Sequence, residues 1–231
     1  MLPVPTHITI LIILTTLFAY IVCIFSVANS NRPRLAKKST MASLLMLLWL
    51  IFQSTLSLNG WYMDRESVPP HILFPVVVNL GLFALGFFTP LGRKFMDSVS
   101  LKTLLWVHLV RIPVELSLYW LAQSKQVPWS MTFQGYNFDI AFGLTAPLII
   151  WLYSKQRLSD KLFMIWNVLG LVSILAVFVR GGGAVPSPWQ VWDFNQPNYA
   201  VLHFPFVWLP SFLAMVVIFT HMVALRRLRN K

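Results

Sequence analysis

The sequence predicts an all-α, polytopic membrane protein. We expect a single transmembrane domain over residues 1–231, a bundle of seven transmembrane helices with its N-terminus outside and its C-terminus cytoplasmic. Three observations carry this prediction. Of the 231 residues, 57% are hydrophobic and 11% are charged, with mean hydropathy +0.69, whereas a soluble domain carries roughly 25% charged residues. Seven apolar runs are of the order of the 20 or so residues needed to cross hydrocarbon. Basic residues gather in alternate connections between those runs.

The runs cover approximately 7–29, 41–62, 70–90, 102–122, 137–154, 162–180 and 203–225. The first follows MLPVPTH, which has no positive charge, and precedes NRPRLAKK. A cleaved signal has the opposite order, so a retained helix is expected. The second and third are long and smoothly apolar, and Gly81, Ala84 and Gly86 allow close helix contact. The fourth carries ionisable residues. The fifth is short and contains Pro147. The seventh contains Pro205 and Pro210 near its start; membrane helices tolerate proline where neighbours satisfy the freed carbonyls.

Charge sets the orientation. Arg32, Arg34, Lys37 and Lys38 follow run one, and Arg93, Lys94 and Lys102 follow run three. Lys155, Arg157 and Lys161 follow run five, and Arg226, Arg227, Arg229 and Lys231 end the chain. These fourteen of the 18 basic residues share one side, which the positive-inside rule makes cytoplasmic. Arg65, Lys125 and Arg180 lie on the other, and Arg111 lies within a run. The net charge of +11 therefore points to a bilayer as partner and not to nucleic acid, and the inner membrane is the expected location.

Run four contains WVHLVRIPVELSLYW. At about 100° per residue, His108, Arg111, Glu115 and Tyr119 fall within an arc of roughly 80°. A charge at mid-bilayer costs several kcal/mol, so such residues face the bundle interior or a water-filled cavity. Arg111 and Glu115 are spaced to pair. Pro113 between them frees the carbonyl of Leu109 and is expected to bend the helix. The bland alternative is a pair that only orients helices. Asn79 and Asp139 lie at depths that would extend a ligand or proton pathway, although Asp139 also suits a helix N-cap. His71, Asn137, Trp129, Trp192 and His203 would form an outer vestibule. The two longer outer loops are rich in Pro, Trp, Asn and Gln. They read either as folded caps or as interfacial aromatic anchors.

Several chemistries are excluded or disfavoured by pattern. Cys23 is the lone cysteine, so neither an intrachain disulfide nor a cysteine metal site is available. No HExxH, GxSxG, HxxxH or DxD occurs, and no metal site is expected. No run has a lysine near its centre, so a retinal Schiff base is ruled out. No cofactor is expected; haem held by His71 with His203, or by His108 with His221, is the alternative that depth pairing allows. The function expected is binding or transport of a small polar or amphipathic molecule, or of protons, through an outward-facing intramembrane polar cavity centred on run four. A membrane-embedded enzyme acting on a lipid at the outer leaflet is one alternative, and a non-catalytic or haem-binding subunit of a larger membrane complex is another. The partners expected are the lipid bilayer, a small-molecule or lipid ligand, and either further copies of the chain or a larger complex.

Overall fold

The computed structural model describes residues 4–230 and is helical, with no strand among them. Seven principal helices follow the apolar runs: α1 (Thr6–Ala28), α2 (Ser39–Leu58), α3 (Leu73–Phe88), α4 (Leu101–Gln123), α5 (Asp139–Ser154), α6 (Asp160–Gly183) and α7 (Leu209–Arg229). Five of them, all except α3 and α5, are long and apolar enough to cross a membrane. Joined to the short helix Pro90–Met96 that follows it, α3 makes a sixth candidate, bent by 92°. With 16 residues, α5 reaches only about 24 Å.

The two departures from simple spans have local causes. Thr89 precedes a proline and is therefore extended. Its side chain accepts a hydrogen bond from Gly92 N–H at 3.0 Å, and Pro90 takes the first helical position. A capping threonine followed by proline is a strong helix start, so the chain turns there and does not lengthen α3. At the other site, Asn137 Oδ1 accepts from the Asp139 amide at 2.9 Å, an Asx turn that starts α5 late. Gly143 on α5 packs against Ile112 on α4, so the N-terminus of α5 ends beside the middle of α4. The preceding segment, with buried Met131, Thr132 and Asn137, folds down into the bundle to meet it.

The prolines are accommodated in the helices themselves. From Leu105 to Val110, α4 changes from α- to 3-10 hydrogen bonding and resumes the α form at Arg111. Pro113 thus sits in the first turn of an α-helical segment, where a missing N–H leaves no bond unmade. The expected break at Pro113 is a change of winding within one continuous helix. Around Pro210, α7 opens with a π-helical turn, Leu209–Leu213.

Burial ranks the helices. In its most apolar stretch α7 is 61% buried and α2 17%. So α4 and α7 form the centre, α5 and α6 pack on them, and α1 packs on α2 and α4. The exposed residues of α2 and α3, such as Leu44, Leu48, Val77, Leu80 and Leu85, suit contact with acyl chains. At the basic end, Arg226 pairs in bidentate fashion with Asp97 at 2.8 Å, and Arg227 donates to the carbonyls of Met96 and Val99. These bonds tie the end of α7 to the turn before α4.

The two loops opposite that end are folded and mutually pinned. Gln196 Nε2 donates to the carbonyls of Ala122 and Val127, and Asn198 Nδ2 donates to Gly181 O. The Tyr199 amide donates to Gln126 O. Trp129 and Trp189 are exposed on the same layer. The loops are thus folded caps that also leave two indoles exposed.

Candidate functional site

The centre of the bundle is a connected polar cluster. Arg111, Gly170 and His221 each lie near the middle of a long helix, α4, α6 and α7 respectively. Arg111 is 1% exposed. Its Nη2 donates to Gly170 O at 3.0 Å and contacts His221 Nε2 at 2.9 Å. Its Nε lies 3.3 Å from Asp139 Oδ2, an ion-pair contact without hydrogen-bond alignment. The guanidinium also faces the Phe142 ring at 5.2 Å.

Donor and acceptor roles run consistently through this cluster. Asn167 Nδ2 donates to Phe163 O, so Asn167 Oδ1 is free to accept from His221 Nδ1–H at 2.9 Å. That leaves the lone pair of His221 Nε2 to accept from Arg111, and one imidazole tautomer satisfies both neighbours. Asp139 Oδ1 accepts from Ser173 Oγ at 3.0 Å. Glu115 Oε1 accepts from Asn137 Nδ2. One guanidinium therefore stands among two carboxylates, an imidazole and a backbone carbonyl. Its Nη1 and Glu115 Oε2 have no hydrogen-bond partner among the described residues.

The expected pairing along α4 is corrected. Arg111 pairs with Asp139 across helices, while Glu115 turns to Asn137. The late start of α5 brings the Asp139 carboxylate within reach, and no side-chain capping bond is made there. His108 is fully buried, edge-on to Trp166 at 4.9 Å and against His221 at 4.4 Å. Tyr119 lies apart, stacked on Phe133 at 5.2 Å with its edge near Trp129. Asn79 also lies apart. It donates to the carbonyls of Pro75 and Ser211, joining α3 to the π turn of α7. His71 stacks on Trp61 at 4.2 Å and bonds its carbonyl. His203 sits in the loop before α7, half-buried. Of the vestibule residues, Asn137 joins the cluster, while Trp192 donates to Arg180 O and lines the neighbouring cavity.

The histidine pair His108 and His221 does not fit a haem. Their rings touch, and both nitrogens of His221 are engaged. No group of three or more metal-ligating side chains occurs among the described residues.

Beside the cluster lies a cavity of about 360 Å³, within the range of small-molecule sites. Arg111 and Asp139 stand in its wall together with Asn198; the rest is mainly apolar, including Val114, Leu118, Ile174, Phe178, Leu213 and Val217. Trp189 and Trp192 belong to its loop-side wall. It is flanked by α3 and α6, which do not pack closely on one another.

Gly170, Asn167 and Ser173 are site residues beyond those expected from sequence, although they recur every three residues on α6, a small and polar line in an apolar run. That periodicity was the available signal. Gly143 and Asp139, one turn apart on α5, gave a fainter one.

Comparison with curated proteins and with solved structures gives no match. One family model does match, over residues 69–229, which include α3 to α7 and every member of the polar cluster. The chain belongs to the family described as domain of unknown function DUF8737.

Proposed function

We propose that this protein holds an amphipathic molecule inside the membrane, its hydrocarbon part in the cavity and its polar part against Arg111 and Asp139. One observation carries the reading: a buried ion pair stands in the wall of a mainly apolar cavity of about 360 Å³. Apolar walls favour hydrocarbon by roughly 25 cal/mol per Å² removed from water. The unused N–H of Arg111 suits an acceptor such as a carboxylate or hydroxyl. The gap between α3 and α6 suits access from the acyl layer. Binding is favoured over proton passage because apolar side chains are buried towards the basic end from His108, among them Leu101, Leu104, Ile150 and Phe163.

Mass spectrometry of material extracted from the purified protein tests this. Wild-type protein should carry an amphipathic molecule in near-stoichiometric amount. Ala214→Phe, at the cavity wall, should lower it about tenfold, equivalent to some 1.4 kcal/mol, with unchanged thermal stability. An equal load in the variant would refute the cavity as its site. A ligand chemically altered during incubation would instead favour the enzyme reading.

The same proposal includes seven spans, a basic cytoplasmic end and an outside N-terminus, in an inner membrane. Support comes from the alternation of basic connections. With Cys23→Ala as background, an impermeant maleimide should label Asn195→Cys in intact cells and Lys155→Cys only after lysis. Both positions are exposed. The reverse pattern would invert the topology, and labelling of both from outside would change the span count.

A further inference from the structure

We propose that a second site, on the lipid-facing side of α6, binds one glycerophospholipid by its phosphate, in the leaflet at the loop-rich end. It goes beyond the cavity reading: the two share Val179 and Trp192, but Arg180, Tyr136, Val172, Leu175 and Ala176 belong to the groove and not to the cavity wall. Arg180 is about 30 Å along α6 from Asp160, one hydrocarbon thickness from the basic end. Its guanidinium lies 4.9 Å from the Tyr136 ring and 5.6 Å from the Trp192 ring. The indole is held in place by a 2.8 Å bond from Trp192 Nε1 to Arg180 O. Arg180 has no ion pair or side-chain hydrogen bond among the described residues. The neighbouring carboxylate, Asp193, accepts from Ser130 at 2.6 Å. A groove of about 470 Å³ runs below Arg180 along Val172, Leu175, Ala176 and Val179. Val172, Leu175 and Val179 are exposed, so the groove faces acyl chains.

The chemistry matches a phospholipid from both ends. A planar guanidinium with free donors recognises phosphate oxygens in bidentate fashion. Two aromatic faces orient it and remove competing water. The groove then takes one acyl chain against aliphatic walls. An arginine that merely snorkels to the interface would need neither the aromatic pair nor the groove.

Native mass spectrometry of the full chain in detergent separates these cases. Phosphatidylglycerol should bind one per chain, and diacylglycerol with the same acyl chains at least about tenfold more weakly. Arg180→Gln and Ala176→Phe should each weaken phosphatidylglycerol about tenfold, the first by removing the charge and the second by filling an exposed groove. Ala214→Phe should leave this binding unchanged, which keeps the cavity and the groove distinguishable. Equal binding of the two lipids, unchanged phosphatidylglycerol binding in either groove variant, or loss in Ala214→Phe would overturn the proposal. If Arg180→Gln fails to fold, Ala176→Phe decides.

Discussion

Arg111→Leu should destabilise the protein by roughly 3–5 kcal/mol, the cost of breaking a buried ion pair by removing one partner. Asp139 would be left at 3% exposure with only Ser173 on its carboxylate. Glu115 would remain buried nearby, and the carbonyl of Gly170 and Nε2 of His221 would both lose their donor. Arg111→Lys should recover little, because an ammonium cannot reach carbonyl, imidazole and carboxylate from one planar fork. Removing both charges with Arg111→Leu and Asp139→Leu should be milder than Arg111→Leu alone, since one buried carboxylate, Glu115, and not two then lacks the guanidinium. Thermal unfolding in detergent, followed by tryptophan fluorescence, measures all three. A wild-type melting temperature for Arg111→Leu would mean that the guanidinium contributes no net stability. A double variant as unstable as the single one would assign the loss to packing and not to charge.

Gly170→Ala should also destabilise, by about 1–3 kcal/mol, as overpacked cores do. The sign is informative, because alanine exceeds glycine by about 1 kcal/mol inside an ordinary helix. Here an added Cβ would stand 2.6 Å from Cε1 and 2.8 Å from Nε2 of His221, with Phe142 at 3.1 Å. The imidazole would be pushed from its place between Asn167 and Arg111, so one methyl group would disturb both bonds to Nη2. Gly182→Ala on the same helix is the control. Nothing lies within 4 Å of its Cβ position, and it should be neutral or slightly stabilising. If Gly170→Ala matched Gly182→Ala, the close approach of α6 to α7 would not be what seats His221.

Much of this was legible in the chain. The seven principal helices follow the seven apolar runs, most ends falling within a few residues, because the need to satisfy backbone groups makes apolar runs helical in lipid. Arg111, Glu115 and His108 were marked as inward-facing by the cost of exposing them to acyl chains, and all three are buried. Tyr119 shares their arc but a phenol carries no such cost, and it settles on Phe133 and Trp129 at the loop-rich end. Asn79 matched Arg111 in depth, yet its amide repairs carbonyls near the π turn of α7. Depth along a helix does not specify azimuth around the bundle.

By itself, then, the sequence determined the all-helical membrane class, the run positions and which ions must turn inward, since these follow from one-dimensional hydropathy and the price of desolvating charge. Tertiary structure alone decided the partners. Asp139 meets Arg111 because an Asx turn starts α5 deep in the bundle. His221 meets it because Gly170 lacks a side chain. Both are contacts between residues far apart in the chain, set by where helices begin and how closely they approach, and no periodicity within one helix encodes them.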